Sequence, residues 1–159
     1  LREPELARFR SRQVGVVFQE FELLGHLSAV DNVMLPWSFS SDDRVDRTRA
    51  RHRAVELLER VGLAEARSRR PGSLSGGEKQ RLALARALFR EPPVVLCDEP
   101  TGNLDPSSKG GVEDLLLDLN RREGQAFVIV THDRKLAGRA DRVLRIHKDG
   151  LLHQVELDG

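Results

Sequence analysis

The sequence predicts an α/β protein with a parallel sheet core and an inserted helical lobe. Strand and helix patterns alternate through the second half, which is the arrangement that builds a parallel sheet. The first half is mostly helical after residue 20, as expected of a lobe inserted beside the sheet. Between the two lies "SLSGGEKQR" (73–81), in which a serine and two glycines directly precede a helical pattern. Such a helix start can bind an anion, most often phosphate, through its backbone amides.

The elements of the first half follow from local patterns. The β-branched run in "RQVGVVFQ" (12–19) predicts a strand that ends at Gln19. Ser28 is expected to cap a short helix towards Met34, and Ser41 or Asp42 is expected to cap a longer one. The longer helix has an apolar stripe, formed by Ala54, Val55, Leu58 and Val61, and it is expected to end at Gly62.

The second half carries the stronger signals. The unbroken apolar run in "PPVVLCDEP" (92–100) predicts a central parallel strand, and "QAFVIVTHD" (125–133) predicts a second buried strand. The region between them predicts a helix that ends at Gly124, and Asp149-Gly150 predicts the turn of a hairpin. The apolar positions of that helix are Val112, Leu115, Leu116 and Leu119, and those of the helix after "SLSGG" are Leu82, Ala85, Leu88 and Phe89.

Composition limits the possible functions. The chain has 159 residues with 39% hydrophobic and 32% charged residues, enough for one domain with a core. The net charge of +1 gives no electrostatic sign of a nucleic-acid binder. The single cysteine, Cys97, rules out an internal disulfide and is expected to be a small buried strand residue. No apolar run approaches the length of a membrane span.

Polar residues follow three of the predicted strands, where open α/β sheets bind their ligands. The strands end at Gln19, at Asp98-Glu99 and at Thr131-His132. Carboxylate and amide oxygens suit Mg²⁺, and a second carboxylate could polarise an attacking water. Each residue alone also has an ordinary explanation, such as a solvated turn or a helix cap. Their occurrence together, each where a nucleotide site needs it, favours phosphoryl transfer.

Four segments resemble the motifs of ABC-type ATPases, in the order of that family. "LSGGEKQRLALARAL" (74–88) resembles the signature motif, and "VVLCDEPTGNLD" (94–105) resembles the Walker B strand and D-loop. "VIVTHD" (128–133) resembles the switch-histidine segment, and "GVVFQ" (15–19) resembles the Q-loop. Together with "FELLGHLSAVDNVMLP" (21–36), "EPTGNLD" resembles the subgroup that powers lipoprotein release and macrolide export. The resemblance implies a P-loop NTPase fold of ABC type.

The resemblance also implies a role for each motif residue at the strand ends. Asp98 would hold Mg²⁺ through water, and Glu99 would be the general base for the hydrolytic water. Gln19 would contact Mg²⁺ and water and would sense the transport subunit. His132 would contact the γ-phosphate of ATP.

Other motif residues are implied to act between two copies of the protein. Asp105 would act across the dimer interface. The signature residues would bind the γ-phosphate side of an ATP held mainly by the opposite subunit; they are Ser75, Gly76, Gly77 and Glu78.

The phosphate loop G-x-x-x-x-G-K-[ST] has no match, since no glycine is directly followed by lysine. The chain begins with Leu1 in a charged stretch, so we expect an upstream part to carry this loop, together with a strand beside the Walker B strand. Residues 1–159 are expected to be a partial ABC ATPase domain, with a helical lobe at about 20–85 and the Walker B, D-loop and switch-histidine part of the core at about 86–159.

Three functional hypotheses remain at this point. The resemblance favours an ATP-hydrolysing subunit that is bound at the cytoplasmic face of a membrane to permease subunits and works as a dimer. An ABC-type ATPase of DNA maintenance or cell division is the alternative, although only 55 residues separate Gln19 from Leu74 (74 − 19), without sustained heptads. In the third hypothesis, residues 1–159 alone are inactive. No nucleic-acid partner is expected.

Overall fold

The computed structural model describes residues 12–38, 46–147 and 152–155. It contains a three-stranded parallel sheet of β1 (Val14–Val17), β2 (Val94–Asp98) and β3 (Ala126–Val130), in the order β1-β2-β3. The shared register places Val16 beside Leu96 and Leu96 beside Val128. The predicted parallel sheet and the central position of the Walker B strand are therefore confirmed.

Three helices form the lobe between β1 and β2. They are α1 (Ala29–Ser38), α2 (Arg47–Arg60) and α3 (Gly76–Leu88), with short 3₁₀ turns at Ala64–Ala66 and Pro71–Ser73. The three helices pack on one another, and α3 also packs on β1. The core therefore continues from the lobe into the sheet, through the fully buried residues Val33, Ala54, Leu58, Leu82, Ala85 and Val95.

Local capping determines where the helices begin. The amide of Asp31 donates to the hydroxyl of Ser28 at 3.2 Å, which confirms the predicted cap of α1. Helix α2 is capped by Asp46, whose carboxylate accepts the amide of Arg49 at 2.8 Å. The expected caps of α2, Ser41 and Asp42, are wrong for this helix and lie outside the described residues. Several acceptors in the polar run 40–46 could serve as a cap, and the one adjacent to the first helical turn does so.

The second half follows the predicted order of elements. Helix α4 (Pro106–Glu123) ends at Gly124, whose φ of +68° is a left-handed conformation that favours glycine. A short helix α5 (Arg134–Ala137) follows β3. Strands β4 (Leu144–Ile146) and β5 (Leu152–Gln154) pair antiparallel, as the hairpin prediction requires. The predicted turn at Asp149-Gly150 lies outside the described residues.

Two expectations about the sheet are wrong. Strand β3 is not a buried strand, because Val128 and Val130 are 52% and 59% exposed. Strand β2 also has β1 along one edge and β3 along the other, so no further strand can pair beside it. An additional strand could join only at the outer edge of β1 or β3. The apolar face that includes Val16, Leu96 and Val128 is the exposed side of the sheet.

Asn32 connects α1 to the preceding loop through a side chain that is fully buried. Its Oδ1 accepts the amide of Leu24 at 2.9 Å. Its Nδ2 lies within donor distance of the carbonyls of Leu24, Leu27 and Ser28, at 3.1, 3.3 and 3.0 Å. The Asn32 side chain therefore ties the loop that follows Gln19 to helix α1.

We expect Asn32→Leu to lower the free energy of unfolding by about 2–4 kcal/mol, because it leaves a buried amide and several carbonyls without their side-chain partner. Urea unfolding monitored by circular dichroism measures the change. The matched control is Asp118→Ala on the exposed face of α4, which should change stability by less than about 0.5 kcal/mol. Equal unfolding midpoints for Asn32→Leu and the unmodified protein would contradict the role of Asn32.

Candidate functional site

The backbone at Glu99 turns sharply as β2 ends at Asp98. Glu99 has a φ of +41°, which is unusual for a residue with a side chain. Its amide donates to the carbonyl of Val130 at 2.8 Å, and its carbonyl accepts the amide of Gly102 at 3.0 Å. Strained backbone of this kind persists only where the surroundings hold it, and it concentrates at functional sites. These two bonds fix the direction in which the Glu99 side chain leaves the sheet.

The carboxylate of Glu99 is bound by the two residues that follow β3. The Thr131 hydroxyl donates to Oε2 at 3.0 Å, and the His132 amide donates to Oε1 at 2.9 Å. The imidazole Nδ1 of His132 lies 2.6 Å from the same Oε1. Burial raises the pKa of Glu99, but the hydrogen bonds from His132 and Thr131 outweigh it and lower the pKa below its usual value. Glu99 is therefore held as an anion.

His132 exposes its side chain while it contacts Glu99. Its side chain is 85% exposed, whereas that of Glu99 is 17% exposed. A carboxylate oxygen at Nδ1 favours a proton on Nδ1, so in the neutral imidazole Nε2 carries a lone pair. A hydrogen bond to a phosphoryl oxygen needs a proton on Nε2. His132 must therefore be doubly protonated to bind phosphate and Glu99 together, or it must release Glu99.

Gln19 lies in a turn two residues beyond the end of β1, rather than at the strand end itself. Its Nε2 donates to Oδ1 of Asn103 at 3.1 Å, and Nδ2 of Asn103 donates to the Gln19 carbonyl at 3.3 Å. A Cβ atom at Gly102 would lie 3.4 Å from Gln19 Nε2 and 3.2 Å from Glu99 Cβ. Gln19 and Glu99 therefore both lie beside Gly102, next to the space that a side chain there would fill. Asn103 was given no role in the sequence analysis, although it lies inside the D-loop motif.

Magnesium fits the donor set at this end of the sheet. Asp98 is exposed at the last position of β2, and Gln19 offers an amide oxygen nearby in the same cluster of loops. Within the described ranges, no three His, Cys, Asp or Glu side chains converge as a metal cage. Mg²⁺ needs none, because it keeps several waters and takes one or two protein oxygens together with substrate phosphates. Bound there, the ion would neutralise charge on the phosphates.

The start of α3 is closed by a capping box. The Glu78 amide donates to Ser75 Oγ at 3.2 Å, and the Ser75 amide donates to Glu78 Oε2 at 2.7 Å. The bond from the Ser75 amide is the largest cause of a lowered Glu78 pKa, and an ion pair with Arg69 at 3.1 Å also lowers it. Glu78 therefore stabilises the helix start as an anion, and its role towards nucleotide stays a prediction.

The two signature glycines pack against the segment that leads into α4. A Cβ at Gly77 would lie only 2.9 Å from Ser108 Cβ, and a Cβ at Gly76 would lie 3.3 Å from Leu104. Gly77 is buried, and any side chain larger than hydrogen would collide with α4. Packing of α3 on α4 therefore requires glycine here, independently of any ligand.

Asp105 caps α4 in the described structure. Its Oδ1 accepts the amides of Ser107 and Ser108 at 3.0 and 3.1 Å. Hydrogen bonds from Ser107 and Ser108 lower the pKa of Asp105 to about 2. Capping of α4 is therefore the role that Asp105 has within one copy of the chain. Its expected action across a dimer interface stays a prediction.

The predicted site residues form two groups. At the strand ends, Glu99 contacts Thr131 and His132, while Gln19 contacts Asn103 and lies beside Gly102. Ser75, Gly76 and Gly77 lie with the segment 104–108 at the start of α3. Across the part of the chain that the structure describes, no hydrogen bond joins the signature residues to Glu99 or His132.

Cys97 is confirmed as a small buried strand residue. It is 1% exposed, and burial raises the pKa of its thiol to about 12. A thiol in this state is inert as a nucleophile. Cys97 therefore serves as a packing residue of the sheet.

Comparison with known proteins agrees with these motifs. The ABC transporter family model matches residues 2–102. The chain is 47% identical over 151 residues to the lipoprotein-releasing system ATP-binding protein LolD of Xanthomonas campestris, covering 95% of this chain and 62% of that protein. It is 49% identical over 148 residues to the macrolide export ATP-binding/permease protein MacB of Rhodopirellula baltica, covering 93% of this chain and 21% of that protein.

A solved structure also matches in fold. It is the dimeric post-hydrolysis state of the ATP-binding cassette MJ0796 bound to ADP and Pi, with a TM-score of 0.83 and 37% identity. The match covers 100% of this chain and 69% of that one. None of the described helices is both long and apolar enough to span a bilayer. Motifs, fold and sequence identity agree, and the chain belongs to the ABC transporter family, with the α/β fold of its ATP-binding cassettes.

Proposed function

We propose that this chain is part of an ATP-hydrolysing subunit that drives a membrane transporter of the export or lipoprotein-release type. The observation that carries the proposal is the anionic Glu99, fixed by Thr131 and His132 at the end of β2. A carboxylate held in this way can orient a water and accept its proton as the water attacks a phosphoryl group. Gln19 and Asp98 are the oxygen donors for Mg²⁺ in this proposal.

The relatives support the transport role. The protein of Xanthomonas campestris is named as part of a lipoprotein-releasing system, and that of Rhodopirellula baltica is named for macrolide export. The lobe between β1 and β2 also favours transport over DNA maintenance, because α2, the longest of its described helices, has only 14 residues. We propose that the subunit binds permease subunits at the cytoplasmic face of the membrane, with residues at about 20–85 as the lobe and about 86–159 as part of the core.

Two copies of the subunit are proposed to share each ATP. The signature residues and Glu99 form separate groups within one chain, which is expected if each group meets a different nucleotide. Ser75, Gly76 and Gly77 of one copy would then bind the γ-phosphate side of an ATP whose attacking water is oriented by Glu99 of the other. The dimeric cassette that resembles this chain supports the arrangement.

The 159 residues contain no glycine directly followed by lysine, the pair with which the phosphate loop G-x-x-x-x-G-K-[ST] runs into its helix. We therefore propose that in the full-length protein this chain is accompanied by such a loop. Residues 1–159 alone should show no measurable ATP turnover, because the β- and γ-phosphates lack their cradle of amides and its lysine. A protein that joins this chain to a phosphate-loop segment should hydrolyse ATP in a Mg²⁺-dependent reaction.

A phosphate-release assay on both proteins, with and without EDTA, tests the proposal. Steady turnover by residues 1–159 alone would contradict the need for the loop. Absence of turnover in the longer protein, when it is folded and binds ATP, would contradict the proposed function.

A further inference from the structure

The guanidinium of Arg86, near the end of α3, binds the backbone that follows Gln19. Its Nη2 donates to the carbonyl of Phe21 at 2.9 Å, and its Nη1 donates to the carbonyl of Glu22. Burial lowers the pKa of Arg86, and the charge of Glu22 opposes this shift. The two carbonyls supply the acceptors that a half-buried cation needs.

The backbone that Arg86 binds is strained. Phe21 and Glu22 have φ angles of +65° and +47°, and neither is a glycine. Conformations of this kind are kept only where neighbouring groups hold them. The turn's own bonds, from the Phe21 amide to the Phe18 carbonyl and from the Glu22 amide to the Glu20 carbonyl, lie within the segment itself. Arg86 supplies a contact from outside this segment, and it does so from the signature helix.

Helix α3 therefore connects the two groups of site residues. Its first residues follow Ser75, and its last turn carries Arg86, 11 residues further along (86 − 75). Backbone hydrogen bonds make a helix of this length a stiff rod, so its two ends move together. Gln19 lies two residues before the backbone that Arg86 binds. The side chain of Gln19 donates a hydrogen bond to Asn103, in the D-loop motif.

We propose that Arg86 is a positioning residue that fixes Gln19 relative to the signature helix. Any shift of α3 against the sheet, as when its first turn meets a nucleotide, is transmitted through Arg86 to the turn after Gln19. The proposal rests on the proposed function, since it assigns Gln19 a part in ATP hydrolysis.

Arg90, in the turn that directly follows α3, provides a matched control. Its Nε and Nη2 donate to the carbonyl of Pro36 at 3.2 and 2.9 Å, so it makes the same kind of contact one turn later. Its partner lies in α1 and not in the segment after Gln19. We expect Arg90 to contribute to stability about as much as Arg86, since each donates two hydrogen bonds to backbone carbonyls, but Arg90 should not affect Gln19.

The test compares Arg86→Gln and Arg90→Gln in the full-length protein with its phosphate loop. We expect Arg86→Gln to lower kcat about ten- to hundredfold with the KM for ATP changed less than about twofold, because a displaced positioning group affects the reacting geometry. Arg90→Gln should lower kcat less than about twofold at a similar loss of Tm. Arg86→Lys keeps the charge and a single donor nitrogen, so it should retain more of kcat than Arg86→Gln does. If Arg86→Gln folds poorly, the comparison with Arg90→Gln is made with Arg86→Lys instead.

Two further measurements separate positioning from general stability. Amide hydrogen exchange at residues 19–24 should accelerate in Arg86→Gln and not in Arg90→Gln. Adding Glu22→Gly to Arg86→Gln should restore part of kcat, because glycine adopts a positive φ without strain. Equal loss of kcat in the Arg86 and Arg90 variants, or unchanged exchange at residues 19–24, would overturn the inference. Exchange does not depend on turnover, so faster exchange in a protein without ATPase activity would contradict only the proposed function.

Discussion

Replacing Glu99 with Gln should lower kcat for ATP hydrolysis by about 10²–10⁴-fold while ATP binding is kept. Gln has nearly the shape of Glu but cannot accept a proton from water. The His132 amide can only donate, so the amide oxygen of Gln should take the place of Oε1. Its NH₂ would then face the Thr131 hydroxyl, which can rotate to accept. The substitution therefore removes the base and leaves the site folded.

Turnover under saturating ATP and dimer mass by light scattering measure both parts of this expectation. We expect Glu99→Gln to accumulate as an ATP-bound dimer, since binding persists and hydrolysis does not. Thr131→Val is the matched control: it removes one hydrogen bond to Glu99 and keeps the carboxylate, so kcat should fall only a few-fold. Turnover at the unmodified rate in Glu99→Gln would show that another group accepts the proton.

Elements with strong local signals were predictable from the sequence. Strand β2 is a continuous apolar run that begins after two prolines and ends at Asp98. Helix α4 begins with a capping aspartate and a proline, and it ends at a glycine in the left-handed conformation. These signals act within a few residues of the chain, so they need no knowledge of the remaining fold.

The burial of β3 could not be predicted in this way. "AFVIV" is as apolar as a buried strand, but exposure depends on what covers the strand from elsewhere in the chain. In the described structure, alternate residues of β3 remain exposed. The neighbours of β2 likewise depend on the order of strands in the sheet, which local sequence does not specify.

The sequence was enough to identify the residues of the candidate site, but it did not show which residues they would bond to. Gln19, Glu99 and His132 were identified because each follows a strand at the same edge of a parallel sheet. The bonds from Thr131 and His132 to Glu99 join residues more than 30 positions apart, and those between Asn103 and Gln19 span 84 positions. Pairings of this kind arise from strand order and turn geometry. The same applies to Gly77, whose contact with Ser108 is visible only once α3 and α4 pack.

Mixing two inactive variants should restore ATPase activity if the site is shared between two copies. The variants are Glu99→Gln and Ser75→Arg, each prepared in a protein that joins this chain to a phosphate-loop segment. Ser75 is exposed at the start of α3, so an arginine there costs its own copy the helix cap, about 1 kcal/mol, and should block the approach of a second copy's nucleotide. Each variant alone has a defect in both sites of its dimer. A mixed dimer places both defects in one site and leaves the other site with an intact Glu99 and an intact Ser75.

Random mixing at equal concentrations makes half of the dimers mixed, so we expect about a quarter of the unmodified activity from a symmetric two-site dimer. Phosphate release before and after mixing, at equal total protein, measures this recovery. The control mixes Glu99→Gln with a double variant that carries both Glu99→Gln and Thr131→Ala. Every site then lacks Glu99, so this mixture should stay inactive. If Ser75 and Glu99 served the same ATP within one copy, each chain would carry its own defect and mixing would restore nothing. Recovery therefore depends on the separation of the two groups of site residues, and its absence would contradict the shared site.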